Sequence, residues 1–223
     1  MDTSASALTP LQRDILEGLA GEDSVYLSGA AALSAFYLRH RQSLDLDFFT
    51  ADLPALERLA RRLEAFALDR ELDLEAVQTT PMFRRYRVSR GDEHTLVDLV
   101  FEPVQQLVAV ADKPTADGVR YDALPDLVAN KLTALLGRGD VKDLVDLYWL
   151  ADSGVDVLAS MADARLKDGG IEPGTLAWVM RSVALNPERL LLMRSVSAEE
   201  LGAFRDRLVE RLLSMAWPPE APR

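Results

Sequence analysis

The run Ser43-Leu44-Asp45-Leu46-Asp47-Phe48-Phe49 alternates apolar and acidic side chains with a period of two, which is the period of a β-strand. It predicts a strand with one apolar face made by Leu44, Leu46 and Phe48 and an opposite face on which Asp45 and Asp47 stand together. Two like charges held this close repel each other unless a cation lies between them. Converging carboxylate oxygens suit Mg²⁺, which keeps waters and substrate phosphates as its other ligands. A half-buried antiparallel strand with a solvated outer face produces the same alternation, so the neighbouring segments have to decide.

Upstream, Ser24 to Ser28 reads as a short strand that ends at Gly29 and runs into Ala30-Ala31-Ala32-Leu33-Ser34-Ala35-Phe36-Tyr37-Leu38, a stretch of helix-forming composition with an apolar stripe. Glycine between a strand and a helix lets the backbone approach a ligand and aims free N–H groups at an anion. Ser28, Gly29 and Ala30 are therefore the candidate phosphate-binding residues. Downstream, a helix from Leu53 to about Phe66 precedes strands around Leu74 to Gln78 and Phe83 to Ser89. The turn Arg90-Gly91-Asp92-Glu93 then leads into His94 to Phe101, as in a hairpin. Asp98 is the one acid in that last apolar run, and a buried strand rarely carries a lone Asp without a partner. A metal ion shared with Asp45 and Asp47 is its simplest partner, giving a three-carboxylate site on neighbouring strands.

These segments resemble the AbiEii/AbiGii toxin family within the DNA polymerase β-like nucleotidyltransferase superfamily. The likeness is carried by Tyr26-Leu27-Ser28-Gly29-Ala30-Ala31-Ala32-Leu33, by Tyr37-Leu38-Arg39-His40-Arg41 and by Ser43-Leu44-Asp45-Leu46-Asp47-Phe48-Phe49-Thr50. It continues through Asn130-Lys131-Leu132-Thr133-Ala134-Leu135 and Arg138-Gly139-Asp140-Val141-Lys142-Asp143-Leu144-Val145-Asp146. The resemblance implies transfer of a nucleotide from an NTP with Mg²⁺, in two ions, on Asp45, Asp47 and Asp98. It also implies Lys131 as a ligand of the triphosphate and a direct role for Asp143. Toxins of toxin-antitoxin and phage-defence systems belong to the family, and some members extend the 3′ end of tRNA, so tRNA and an antitoxin protein are the partners it implies. One departure stands out: family members follow the first glycine with a second one and a hydroxyl residue, where this chain has Ala30 and Ala31.

On physical grounds alone, Asp126 to Leu136 has helical periodicity, with Leu127, Val128, Leu132 and Leu135 as its stripe, and a lysine at 131 could simply snorkel to solvent. Asp143 and Asp146 share one face of a helix over Val141 to Leu150, near Lys142 and Arg138, where a salt-bridged helix end is the plain alternative.

The order of elements predicts an α/β (α+β) chain: a mixed-sheet core over residues 1–110, then a mostly helical domain over 111–223 that forms the other wall of a cleft. The helices expected there are Leu124 to Leu136, Val141 to Leu150, Asp156 to Lys167, Pro173 to Val183 and Ala198 to Met215. A chain of 223 residues, 48% hydrophobic and 27% charged, has ordinary soluble composition. It lacks a signal core or membrane-length apolar run, and a cytoplasmic location is expected. With no cysteine and only His40 and His94, disulfides are excluded and a zinc site is not expected; both histidines read as structural or solvent-facing. The Pro-rich tail 217–222 reads as frayed.

A net charge of −11 repels polyanions, so RNA binding needs a local basic stripe. Arg84, Arg85, Arg87 and Arg90, with Arg58, Arg61 and Arg62, outline one, and Arg85 and Arg87 point together by strand alternation. They form either an RNA track or a solvated face. A small cationic acceptor, or a catalytically quiet nucleotide- or partner-binding protein, are the alternatives.

Overall fold

A computed structural model describes residues 7–217; most of the tail read as frayed, 218–222, lies outside the described residues. Two compact units divide between Leu124 and Pro125.

The first unit runs α1 (Pro10–Leu19), β1 (Tyr26–Ser28), α2 (Gly29–Leu33), β2 (Asp45–Thr50), α3 (Leu53–Asp69), β3 (Asp73–Thr79), β4 (Phe83–Arg90), β5 (Glu93–Phe101) and a small hairpin of β6 (Thr115–Ala116) with β7 (Val119–Arg120). Thr9 and Gln12 close a capping box at the start of α1, with Pro10 in the first turn, which satisfies donors that helix geometry leaves open. The large sheet has the order β1-β2-β5-β4-β3. Of the paired strands in this sheet, among the described residues, only β2 and β5 run parallel, and α3 supplies part of the long crossover such a pair requires. Leu11 and Ile15 of α1 and Leu56, Leu59 and Leu63 of α3 are buried, as are Leu46, Phe48, Tyr86, Val88, Val97 and Leu99 of the sheet. Those alternate strand positions form the apolar face, which leaves Asp45, Asp47 and Asp98 on the other. The outer strand β3 is exposed and charged and carries a register shift between Ala76 and Gln78, features that discourage edge-to-edge pairing.

Two local expectations give way here. Leu44 is 70% exposed rather than buried. Strand geometry starts only at Asp45; Leu44 sits in the approach to it, its carbonyl accepting from the Leu96 N–H at 3.2 Å and the Thr95 hydroxyl at 3.0 Å. The segment after Gly29 is not one α-helix: α2 passes into a π-helical turn over Ser34–Leu38. Arg39 stops it with φ +50 while its N–H reaches back to the Ser34 carbonyl, and the buried His40 ring lies 3.2 Å from the Ser34 hydroxyl. The segment 111–118 carries the β6 strand, and the Lys113 side chain within it is fully buried.

The second unit is helical: α4 (Leu124–Arg138), α5 (Val141–Asp152), α6 (Met161–Lys167), α7 (Pro173–Ser182) and α8 (Ala198–Ala216). The first turn expected of α6 is instead a separate 3₁₀ turn over Val157–Ser160, capped by the Asp156 side chain. Leu127, Val128, Leu132 and Leu135 of α4 and Leu144, Val145, Leu147 and Leu150 of α5 are buried, the stripes their spacing predicts. A Ser197–Glu200 capping box opens α8.

Candidate active site

The acid face of the sheet is organised in rows, because register partners on adjacent strands share a face about 4.8 Å apart. One row reads Ser28, Asp47, Asp98, Arg85 and Gln78 across β1, β2, β5, β4 and β3. On one side of it lies the row Asp45, Leu96, Arg87, Glu75, and on the other Tyr26, Phe49, Val100, Phe83. The structure thus brings Asp45, Asp47 and Asp98 onto one surface. Asp45 and Asp47 are half-buried and Asp98 buried. Asp45 accepts from the Ser43 hydroxyl at 2.6 Å. Asp98 is gripped at both oxygens by Arg85, at 2.8 Å from Nε and 2.6 Å from Nη2. That bond to Asp98, with the nearby charges of Asp47 and Asp45, raises the Arg85 pKa above its ordinary value.

Gly29 stands directly against the acids. Its φ is +68, and a Cβ there would lie 2.4 Å from Asp47 Oδ2, so glycine is required by conformation and by space together. Ala30 and Ala31 do not share the positive φ and are buried; one glycine suffices for this turn. Ser28 does not offer its hydroxyl to the acid face. It donates to Asp122 Oδ2 at 2.7 Å, and Lys113 Nζ holds the other oxygen at 2.6 Å with both side chains fully buried. The Asp122 N–H donates to the Leu27 carbonyl, the Lys113 ammonium lies 4.6 Å from the centre of the Tyr26 ring, and the Tyr37 hydroxyl donates to the Asp122 carbonyl. Burial, with Tyr121 and Asp122 adding to it, pushes the Tyr37 hydroxyl up to about 12. This staple fixes the strand that ends at Gly29. Sequence reasoning missed it; the only available signal was a lysine and an aspartate flanking a short extended segment.

Lys131 and Asp143 lie in the second unit, within one buried ion network. Lys131 Nζ is 2.6 Å from Asp146 Oδ2 and 3.3 Å from Asp143 Oδ1, so the lysine is paired inside rather than snorkelling. Arg138 binds both Asp143 oxygens, at 2.6 and 2.7 Å, which raises its own pKa. The pairing of Asp143 with Asp146 on one helix face follows from their spacing. That Lys131 would be the cation between them does not.

The donor set decides how well a divalent cation fits. Asp45 and Asp47 offer hard carboxylate oxygens on one half-exposed surface, the chemistry Mg²⁺ takes. Asp98 offers only part of its lone-pair capacity while Arg85 bonds both its oxygens, and among the described residues no three acidic or imidazole side chains are gathered as a finished cage. The expected basic stripe is largely neutralised as well. Arg84 pairs with Glu57, Arg87 with Glu75, Arg90 with Asp14 and Glu93, and Arg58 with Glu22 and Asp52, while Arg62 donates to the Gly18 carbonyl. No helix among the described residues is long and apolar enough to cross a membrane.

Comparison with known proteins agrees with the fold. The family model described as a nucleotidyl transferase AbiEii toxin of a Type IV TA system matches residues 14–222. The fold is similar to that of JHP933 from Helicobacter pylori, with 22% identity, 92% of this chain and 91% of that one covered, and a TM-score of 0.57. It is also similar to MenT4, a nucleotidyltransferase toxin from Mycobacterium tuberculosis H37Rv, with 17% identity, 94% and 83% covered, and a TM-score of 0.60. No curated protein matches the chain.

Proposed function

Because the chain belongs to the AbiEii nucleotidyl transferase toxin family, we propose that it transfers a nucleoside monophosphate from an NTP to an acceptor hydroxyl in a Mg²⁺-dependent reaction. The acceptor is an RNA 3′ end such as that of tRNA, and an antitoxin protein opposes the activity. The observation that carries this reading is the contact between the positive-φ turn at Gly29 and the Asp47 carboxylate. It places backbone able to approach a phosphate beside acids able to hold the counter-ion of that phosphate.

Asp45 and Asp47 hold the metal, and Asp98 joins them once its oxygens are released. Bound there, Mg²⁺ supplies charge neutralisation for the phosphates and greater acidity for the acceptor hydroxyl. The Gly29 turn lets the triphosphate come close to the acids without a side chain in the way. Ser28 keeps that turn in place through Asp122. The family resemblance assigns Lys131 to the triphosphate and Asp143 to the catalytic set; the ion network joins the two, so a change in either acts on both. Catalysis of this kind rests on positioning and charge compensation more than on covalent chemistry by the protein.

One observation favours a second acceptor class. The arginines of the basic stripe are paired with acids, and the whole chain carries −11, which suits a small cationic acceptor better than a polyanion. Incubation with Mg²⁺, each α-³²P-labelled NTP and total tRNA, with a parallel arm containing an aminoglycoside, separates them. Label on RNA, lost in Asp45→Ala, is the expected result. Label on the amine alone replaces the acceptor, and no label in either arm with any nucleotide overturns the transferase reading.

A further inference from the structure

Asp98 is buried; its partner is not. The Arg85 side chain keeps 38% of its surface exposed against 6% for Asp98, and its long stem rises from β4, at the register position beside Asp98. Across the sheet, Asp98 has Asp47 as its register partner on β5's other neighbour, and Asp45 stands two residues along the same face. All three carboxylates act on the one Arg85 guanidinium, and clustered acids of this kind attract a divalent cation. Both Asp98 oxygens nevertheless accept from the Arg85 fork, which takes about half of the carboxylate's lone-pair sites and sets a positive charge against a second cation at the rest. The Phe83 ring lies 5.5 Å from the guanidinium, a second partner that remains when Asp98 is given up.

We propose that Arg85 is a positioning residue that competes with the metal for Asp98: in the metal-free protein it closes the third acid, and metal loading of the face requires the guanidinium to swing off. The inference rests on the metal-dependent reading of Asp45 and Asp47. It accounts for how a buried third carboxylate stays compensated before metal arrives, since an unpaired buried charge is costly. It also makes metal binding weaker and more cooperative with Arg85 displacement than a bare three-acid site would be.

The test is direct Mn²⁺ binding, read from the electron paramagnetic resonance signal of free Mn²⁺, on the full chain, with thermal unfolding as the folding control. Arg85→Gln removes the competitor, and its Mn²⁺ midpoint falls about tenfold or more, the worth of one charge-assisted hydrogen bond. Arg85→Lys keeps the charge but not the fork; its midpoint falls by at least about threefold. In an Asp98→Asn background the gain from Arg85→Lys disappears. A lysine variant with the wild-type midpoint would mean that only charge matters, and the competition is refuted. If wild type binds Mn²⁺, Asp45→Asn does not, and both Arg85 variants match wild type, the inference fails while the metal site stands. If no form binds Mn²⁺, the metal-dependent reading fails and takes the inference with it.

Discussion

Replacing Gly29 by alanine tests the geometry at the centre of the site. The new Cβ would stand 2.4 Å from Asp47 Oδ2 and 3.4 Å from its Cγ, so the carboxylate has to turn away by roughly 1 Å, an overpacking cost of about 1–2 kcal/mol. A non-glycine residue at φ +68 adds about 1–2 kcal/mol of backbone strain. Together, Gly29→Ala should cost about 2–4 kcal/mol in urea unfolding monitored on the first unit. Transfer activity should fall about 100-fold, the usual consequence of misplacing a catalytic group by about 1 Å. The decisive measurement is the cycle with Asp47→Ala. Without the carboxylate the steric part vanishes, and Gly29→Ala in that background should cost only the backbone strain of about 1–2 kcal/mol. Equal costs in the two backgrounds, or a fully active Gly29→Ala enzyme, would refute the close approach of turn and acid.

The buried ion pairs and the Tyr37 hydroxyl set three further outcomes. Lys113→Met leaves the fully buried Asp122 without its lysine and should destabilise the first unit by about 3–5 kcal/mol, seen as an earlier urea midpoint. Lys131→Met should destabilise the second unit more than Arg138→Met, by about 1 kcal/mol or more, because Asp143 keeps Lys131 when Arg138 is lost whereas Asp146 loses its 2.6 Å cation when Lys131 is lost; equal effects would contradict the network. The Tyr37 hydroxyl is raised to about 12 from an ordinary 10, so the folded state holds a proton that the unfolded state releases. That contribution is complete below pH 10 and is lost as pH climbs from 10 to 12; Tyr37→Phe should flatten the alkaline fall in stability over that window, and an unchanged slope would rule it out.

Period and turn chemistry carried most of the fold. Asp45, Asp47 and Asp98 could be placed on one face because side-chain alternation is rigid and each acid interrupts an apolar run. Gly29 was legible because a glycine between strand and helix has few other uses, although nothing local says that it would touch Asp47. The limits of periodicity explain the failures. Leu44 belongs to the pattern but lies just before the strand, where alternation no longer fixes which face a side chain takes. The π-helical turn at Ser34–Leu38 is accompanied by a hydroxyl–imidazole contact and a left-handed residue at Arg39, neither visible in an apolar stripe. Partner choice was the least readable feature. Arg85 alternates correctly toward the acid face, yet only the β4–β5 register shows that its guanidinium meets Asp98 rather than solvent.

That choice of partner sorts the buried acids of this chain into two kinds. Asp122 and Asp126 are each matched with a buried lysine, Lys113 and Lys167, and Asp146 with the buried Lys131. In these pairs both side chains are buried, so parting them costs charge desolvation on both sides and they act as fixed staples. Asp98 and Asp143 are different: each is buried, but each gives both oxygens to an arginine that stays well exposed, Arg85 in the first unit and Arg138 in the second. An exposed guanidinium regains water when it lets go, while the buried carboxylate it leaves is uncompensated and strongly cation-attracting. Asp143 retains Lys131 behind it when Arg138 departs, whereas the register partner of Asp98 on β2 is another acid, Asp47, with Asp45 two residues along, and the diagonal Arg87 is paired with Glu75. Release of the arginine therefore has opposite consequences for the two acids singled out from sequence: Asp143 stays compensated from within its own unit, and Asp98 does not, which makes Asp98 the one whose exposure calls for a metal.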